Sequence, residues 1–234
     1  MPDIYDTLAP HYREYARSKQ AYITAVDRFI LQHAPGSVEA VLDVGAGDGV
    51  RGVDLARGLR AKRLVLCEPS REMAAQCRKL APEAVWELPA EALPDSDLRF
   101  DVILCLWNVL GHLAGPSQRV AALKAMKRLL APTGAVFLDV NNRHNAAAYG
   151  RLKVLARRCA DFLFPDYRRG DTEYEWKIGR LSLPAMGHLF TPTEIEGMIA
   201  ESGLRVVRRL AVDYATGEYS ASPYRGQLLY RATH

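Results

Sequence analysis

The chain has 234 residues, with 31 Lys+Arg against 27 Asp+Glu for a formal net charge of +4. At 49 % apolar and 25 % charged, with ordinary Gly and Pro, it reads as one globular domain and excludes disordered, collagen-like and coiled-coil classes. Cys67, Cys77, Cys105 and Cys159 are widely spaced, with no CxxC and no His-paired pattern. Neither a disulfide framework nor a metal site is therefore expected, and a reducing cytoplasm suits the chain. The first six residues carry two acids and no apolar run follows, which argues against a secretory signal. The uncharged stretch 102–118 holds Asn108, Gly111, His112, Gly115 and Pro116, so no membrane-spanning helix and no membrane partner are expected.

Residues 11–33 place Tyr12, Tyr15, Tyr22, Val26, Phe29 and Ile30 at helical spacing, predicting an amphipathic helix within an N-terminal helical cover over 1–36. Short apolar runs at 40–44, 64–67, 85–87, 102–106 and 135–140 alternate with helical patterns at 52–60, 71–80 and 119–130. Such alternation predicts parallel strands joined by right-handed crossovers. The rhythm breaks after Val140. Residues 141–190 read as a lid insertion, a helix over 146–163 followed by a polar, aromatic hairpin or irregular segment. A helix over 193–201, capped by Thr191 or Thr193 and stopped by Gly203, then leads to strands at 205–212 and 227–231 that pair antiparallel. The expected fold is a single α/β domain: a doubly wound, Rossmann-like sheet of seven mostly parallel strands, the last two antiparallel.

Residues 41–49, VLDVGAGDG, run an apolar strand into Gly45, Gly47 and Gly49 ahead of a helix. Three glycines permit a tight turn whose backbone N–H groups come close to a ligand. The spacing GxGxG departs from the dinucleotide fingerprint GxGxxG. Asp43 and Asp48 flank the glycines, and carboxylates there repel a pyrophosphate but attract a cation. Nineteen residues after Gly49 the second strand ends in Glu68, placed to accept ribose hydroxyls.

With Asp43, Gly45, Gly47, Gly49 and Glu68 in this order, the chain resembles the class I S-adenosylmethionine-dependent methyltransferases over about residues 38–232. The resemblance implies S-adenosylmethionine as methyl donor and S-adenosylhomocysteine as product. It also implies donor contacts from Asp43, the Gly45–Ala46–Gly47–Gly49 loop and Glu68, with Pro69 and Met73 walling adenine. Ala90 or Glu91 would replace the family's adenine-binding Asp, since Pro89 stands at that position. Leu106, Trp107 and Asn108, after the fourth strand, would line the methyl end. An aromatic cover contributing Tyr5, Tyr12 and Arg17, and substrate contacts from Asn141, Asn142 and Arg143, follow from the same resemblance.

For an acceptor that must lose a proton, His112 or His144 is the expected base. His188, just before a helix cap, reads as structural. Nine Lys/Arg between Arg143 and Arg180 face five acids, so the lid carries a positive excess equal to that of the whole chain. An anionic small substrate, an RNA backbone and a solvated helix face are all open readings. Tyr149, Tyr167, Tyr174 and Trp176 either stack on a planar group or pack the lid onto the sheet. The expected activity is methyl transfer to oxygen or nitrogen of a small molecule by a monomer or homodimer. A transfer RNA acceptor and a non-catalytic donor-binding scaffold are the alternatives.

Overall fold

The computed structural model describes residues 4–178 and 181–234; Arg180 and the side chain of Lys177, two of the nine lid cations, lie outside them. Strand β1, Ala40–Val44, is buried at every position because helices cover both faces of the sheet. Around it stand β2 (Arg63–Cys67), β3 (Ala84–Trp86), β4 (Phe100–Cys105) and β5 (Leu130–Val140), in the order β3-β2-β1-β4-β5 and all parallel. Alternate residues feed opposite cores: Ile103 and Cys105 of β4 join one buried cluster, Val102 and Leu104 the other. The first core lies under α6 (Gly115–Leu129) and α9 (Pro192–Glu201), the second under α3 (Gln20–His33) and α4 (Val50–Gly58).

Beyond β5 the sheet turns antiparallel through β10 (Gln227–Thr233) and β8 (Arg205–Val212). An eighth strand, β9 (Tyr219–Ser220), adds to the seven expected. Two residues have no readable period, so the sequence carried no sign of it. Of the two caps expected for α9, Thr191 is the one used, in a capping box with Glu194, whose N–H bonds to the Thr191 hydroxyl, and Gly203 ends that helix at φ 80°.

Two expected helices are each divided. The 11–33 helix becomes α2 (Tyr12–Arg17) and α3, parted where the Ser18 hydroxyl donates to the Tyr15 carbonyl at 2.7 Å. The 146–163 helix becomes α7 (Ala146–Tyr149) and α8 (Arg151–Leu163), broken at Gly150 with φ 83°. The first helix, α1 (Ile4–Leu8), is latched to α5 (Arg71–Arg78) because Asp6 accepts the Ser70 hydroxyl at 2.6 Å.

The lid hairpin pairs β6 (Asp171–Ile178) with β7 (Leu181–His188). Its neck is stapled where Phe190 N–H donates to the Asn141 carbonyl at 2.8 Å and Arg143 N–H to the Phe190 carbonyl at 2.9 Å. The insertion thus leaves and rejoins the sheet at the carboxyl end of β5, the edge at which open α/β sheets bind ligands.

Candidate functional site

The turn after β1 holds Gly45, Gly47 and Gly49 at φ 74°, 58° and 78°, a left-handed run that side chains disfavour. Glu68 locks this turn to the end of β2: Oε2 accepts the Gly47 N–H at 2.8 Å and Oε1 the Ser70 N–H at 3.0 Å. Below the loop, burial pushes the Asp43 carboxyl up to about 7; Arg51 opposes the shift, and Asp27 and Asp48 add to it. Asp48 is engaged elsewhere, by Arg13 at 2.6 Å and the Val50 N–H at 3.2 Å.

A cavity of about 810 Å³ opens above the loop, within the range of small-ligand sites. Its floor is Gly45, Gly47, Glu68 and Pro69; one wall is Pro89, Ala90 and Glu91, the other Leu106, Trp107 and Asn108. The roof is aromatic. Tyr5, Tyr12 and Tyr15 descend from the N-terminal helices to meet Tyr174 and Trp176 of the hairpin. Tyr15 stacks on Trp107 with centroids 5.4 Å apart, and Tyr5 sets its edge against Trp176 at 5.1 Å and His112 at 5.6 Å. His112 donates from Nδ1 to the Met186 carbonyl at 3.2 Å, which leaves Nε2 as the basic nitrogen.

Trp107 and Asn108 adopt consecutive left-handed conformations, φ 64° and 65°, each a strained state for a non-glycine residue. Buried Asp139, on β5, holds them: its carboxylate accepts the Trp107 N–H and the Tyr22 hydroxyl, and its carbonyl accepts the Asn108 N–H at 3.2 Å. Asn108 in turn accepts the Asn141 N–H at 2.9 Å and donates to the His188 carbonyl at 3.4 Å. Sequence reasoning missed Asp139, Tyr22 and Arg51, whose side chains come together only after α3, α4 and β5 pack. It also passed over Tyr15 and Tyr214, although Tyr15 shares a helical face with the chosen Tyr12.

Of the residues expected at the site, Tyr5, Tyr12, Asn141, Tyr149 and Trp176 line the cavity together with the floor and walls just described. Five expected contacts are corrected. Arg17 is exposed and off the cavity; Arg13, one helical turn earlier, reaches the loop. Asn142 turns away, donating to the carbonyls of Pro223 and Gly226 at 2.7 and 2.8 Å. Arg143 and His144 both face Asp161 of α8 at 2.9 Å, so His144 is no base for a group in the cavity. Its imidazole is held below the usual range by burial, against the pull of Asp161. Met73 clusters with Leu8 and Ala9 off the cavity, while Ala46 and Gly49 stand in the glycine turn, where their expected part is played by the backbone rather than by a side chain. His188, read as structural, is buried between Asp171 at 2.7 Å and Glu194 at 2.9 Å and also borders the cavity.

Residues 41–134 match the family model of a methyltransferase domain. The ubiquinone biosynthesis O-methyltransferase of Chromobacterium violaceum is 30% identical over 189 residues, covering 75% of this chain and 68% of that protein. The chain belongs to the S-adenosylmethionine-dependent methyltransferases. The enzyme of the same description from Ralstonia nicotianae is 29% identical over 198 residues, 82% of this chain and 74% of that protein. An S-adenosylmethionine-bound amino pentose methyltransferase from Micromonospora echinaspora shares the fold, with TM-score 0.64 at 20% identity over 95% and 94% of the two chains.

The methyltransferase site fits its donor on chemistry visible in the fold. Glu91 Oε2 is buried on the cavity wall without a hydrogen-bond partner among the described residues, an acceptor awaiting a donor such as an amine. Asp43 lies buried just below the loop and is not itself on the cavity lining; burial pushes it toward neutrality, and a cation brought close to it would favour its charged form. Neither a pyrophosphate nor another anion would meet these two carboxylates favourably.

Proposed function

We propose that this methyltransferase acts on an oxygen, or a nitrogen, of a small acceptor with a planar apolar body seated beneath the aromatic roof. The observation that carries the reading is the roof itself: Tyr5, Tyr15, Trp107, Tyr174 and Trp176 enclose the space between the donor floor and His112. Rings at these separations favour edge and stacking contacts with a flat guest. Oxygen is favoured over nitrogen because the two relatives named above are O-methyltransferases.

Asp43, Glu68 and Glu91 hold the donor by its ammonium, ribose and adenine ends, and Leu106 to Asn108 border its methyl end. When bound, the donor supplies a methyl group already activated by a positive sulfur. The chain's part is placement: the roof holds the acceptor atom in line behind that methyl and keeps water out. For a hydroxyl acceptor, His112 Nε2 takes the proton. Arg157, on the cavity wall with its guanidinium 4.4 Å above the Tyr149 ring, would receive an acidic group on the acceptor.

RNA is the weaker acceptor because four of the lid cations are already engaged within the protein. Arg143 and Arg169 lie within 4 Å of Asp161, Arg168 pairs with Asp166 at 3.1 Å, and Arg158 stacks on Tyr224. The test supplies isotopically labelled donor and purified protein to a fractionated cell extract. Label in the small-molecule fraction is expected. Label confined to RNA would overturn the reading, and donor binding with no label anywhere would make the protein a donor sensor.

A further inference from the structure

Helix α8 displays what a soluble surface seldom does: Leu152, Leu155, Phe162 and Leu163 are 84, 55, 85 and 64 % exposed, and Phe164 at its end is 66 % exposed. At about 100° per residue, positions 152, 155, 159, 162 and 163 fall on a single stripe. The opposite face is anchored. Val154 is buried, Asp161 binds Arg143 and His144 at 2.9 Å, and the Ala160 carbonyl accepts from Arg169 at 2.9 Å. With its back fixed, the helix cannot roll the stripe inward. Arg151 and Arg158 border the stripe on one side and Lys153 on the other, all exposed, and the helix carries four cations against one acid.

We infer that α8 is an interfacial anchor that lays Leu152, Leu155, Phe162 and Leu163 into an anionic lipid bilayer while Arg151 and Lys153 engage its headgroups. A helix of this kind needs no span, and among the described residues no helix is long and apolar enough to cross a membrane. On the lack of a span alone, the sequence predicts no membrane partner; a helix lying on the surface departs from that expectation. Charge selects the occupant. If a second copy covered the stripe about a two-fold axis, the cations of both copies would be brought together, whereas anionic headgroups neutralise them. The inner side of the same segment contributes Tyr149 and Arg157 to the cavity, so a docked bilayer lies beside the catalytic site.

The test is co-sedimentation of the 234-residue chain with vesicles of phosphatidylglycerol mixed equally with phosphatidylcholine, and with vesicles of phosphatidylcholine alone. Binding to the mixed vesicles, weakened by added salt, is expected. The double substitution Leu155→Ser, Phe162→Ser should cut the partition coefficient by about tenfold or more. The charge reversal Arg151→Glu, Lys153→Glu leaves the stripe intact and should do the same. Both variants should retain wild-type affinity for S-adenosylhomocysteine, which separates this surface from the donor site. Absence of vesicle binding by the wild type would overturn the inference. So would a wild-type dimer in sedimentation velocity that the Leu155/Phe162 variant dissolves, since the stripe would then be a contact between copies.

Discussion

The Tyr22 hydroxyl on α3 donates to Asp139 at the end of β5, a contact spanning 117 positions of sequence inside the protein. It ties the N-terminal cover to the carboxylate that holds Trp107 in its left-handed turn. Tyr22→Phe keeps the buried ring and removes one donor from a buried acceptor, so a loss of about 1–3 kcal/mol in unfolding free energy is expected. Donor affinity should fall with it, because relaxation of Trp107 and Asn108 moves one cavity wall. Thermal melts paired with S-adenosylhomocysteine calorimetry check this; a Tyr22→Phe protein equal to wild type in both would show that the tie positions nothing.

Asp43 makes donor binding dependent on pH in a stated direction. Burial pushes its carboxyl up to about 7, so below that pH the acid is increasingly neutral and its attraction for an ammonium is lost. The dissociation constant of the donor should rise about tenfold per pH unit below 7, and Asp43→Asn should flatten that slope. Stability moves oppositely. Between the ordinary value of 3.8 and about 7 the folded ligand-free state binds more protons than the unfolded one, so this group makes the protein more stable as pH falls through that window. Asp43→Asn should therefore stabilise the ligand-free protein at pH 8 by about 1–3 kcal/mol while weakening donor binding. Isothermal titrations and melts across pH 5–8, roughly the window set by this shift, read both signs.

The glycine loop and Glu68 were legible because each requirement is local. A chain that must turn left-handed three times in five residues needs glycine there, and an acid at the end of the next strand follows from the length of one crossover. The alternation of parallel strands with helices was legible for the same reason. What stayed hidden depends on tertiary aim. Arg143 and His144 sit directly after β5, where the cavity is, yet both turn to Asp161, and nothing near position 144 announces a partner 17 residues on. Arg13 and Arg17 occupy the same helix one turn apart, and only its packing angle decides which one meets Asp48. The lid's positive excess, counted along the chain, left several readings open; only in space do Arg143, Arg157, Arg158, Arg168 and Arg169 show carboxylate or ring partners while Arg151 and Lys153 stay exposed.

The two candidate bases separate cleanly. His112→Ala should lower kcat for a hydroxyl acceptor by about 10²–10⁴, the usual worth of a general base, with donor affinity little changed. His144→Ala removes a partner of Asp161 at 2.9 Å but nothing from the cavity, so it should lower the melting temperature and leave kcat within about twofold of wild type. Single-turnover rates for both variants, set beside their melts, decide the assignment. A large loss of rate in the His144 variant alone would return the base to the lid.

Glu91 offers the sharpest distinction between a residue kept for structure and one kept for a ligand. Its Oε2 is buried without a partner among the described residues, so in the ligand-free protein this oxygen only costs stability. Glu91→Gln places an amide on the same wall, and an amide nitrogen there would face the adenine amine donor to donor. The substitution should weaken S-adenosylhomocysteine binding by about 1–2 kcal/mol, or five- to thirtyfold, while the ligand-free protein melts at or above the wild-type temperature. Asp95, exposed just beyond the same segment, is the control, and Asp95→Asn should alter neither quantity. If Glu91→Gln instead destabilised the ligand-free protein and left the affinity intact, the carboxylate would belong to the wall's folding, and the adenine amine would have to bond elsewhere, with the Ala90 backbone the nearest remaining group on that wall.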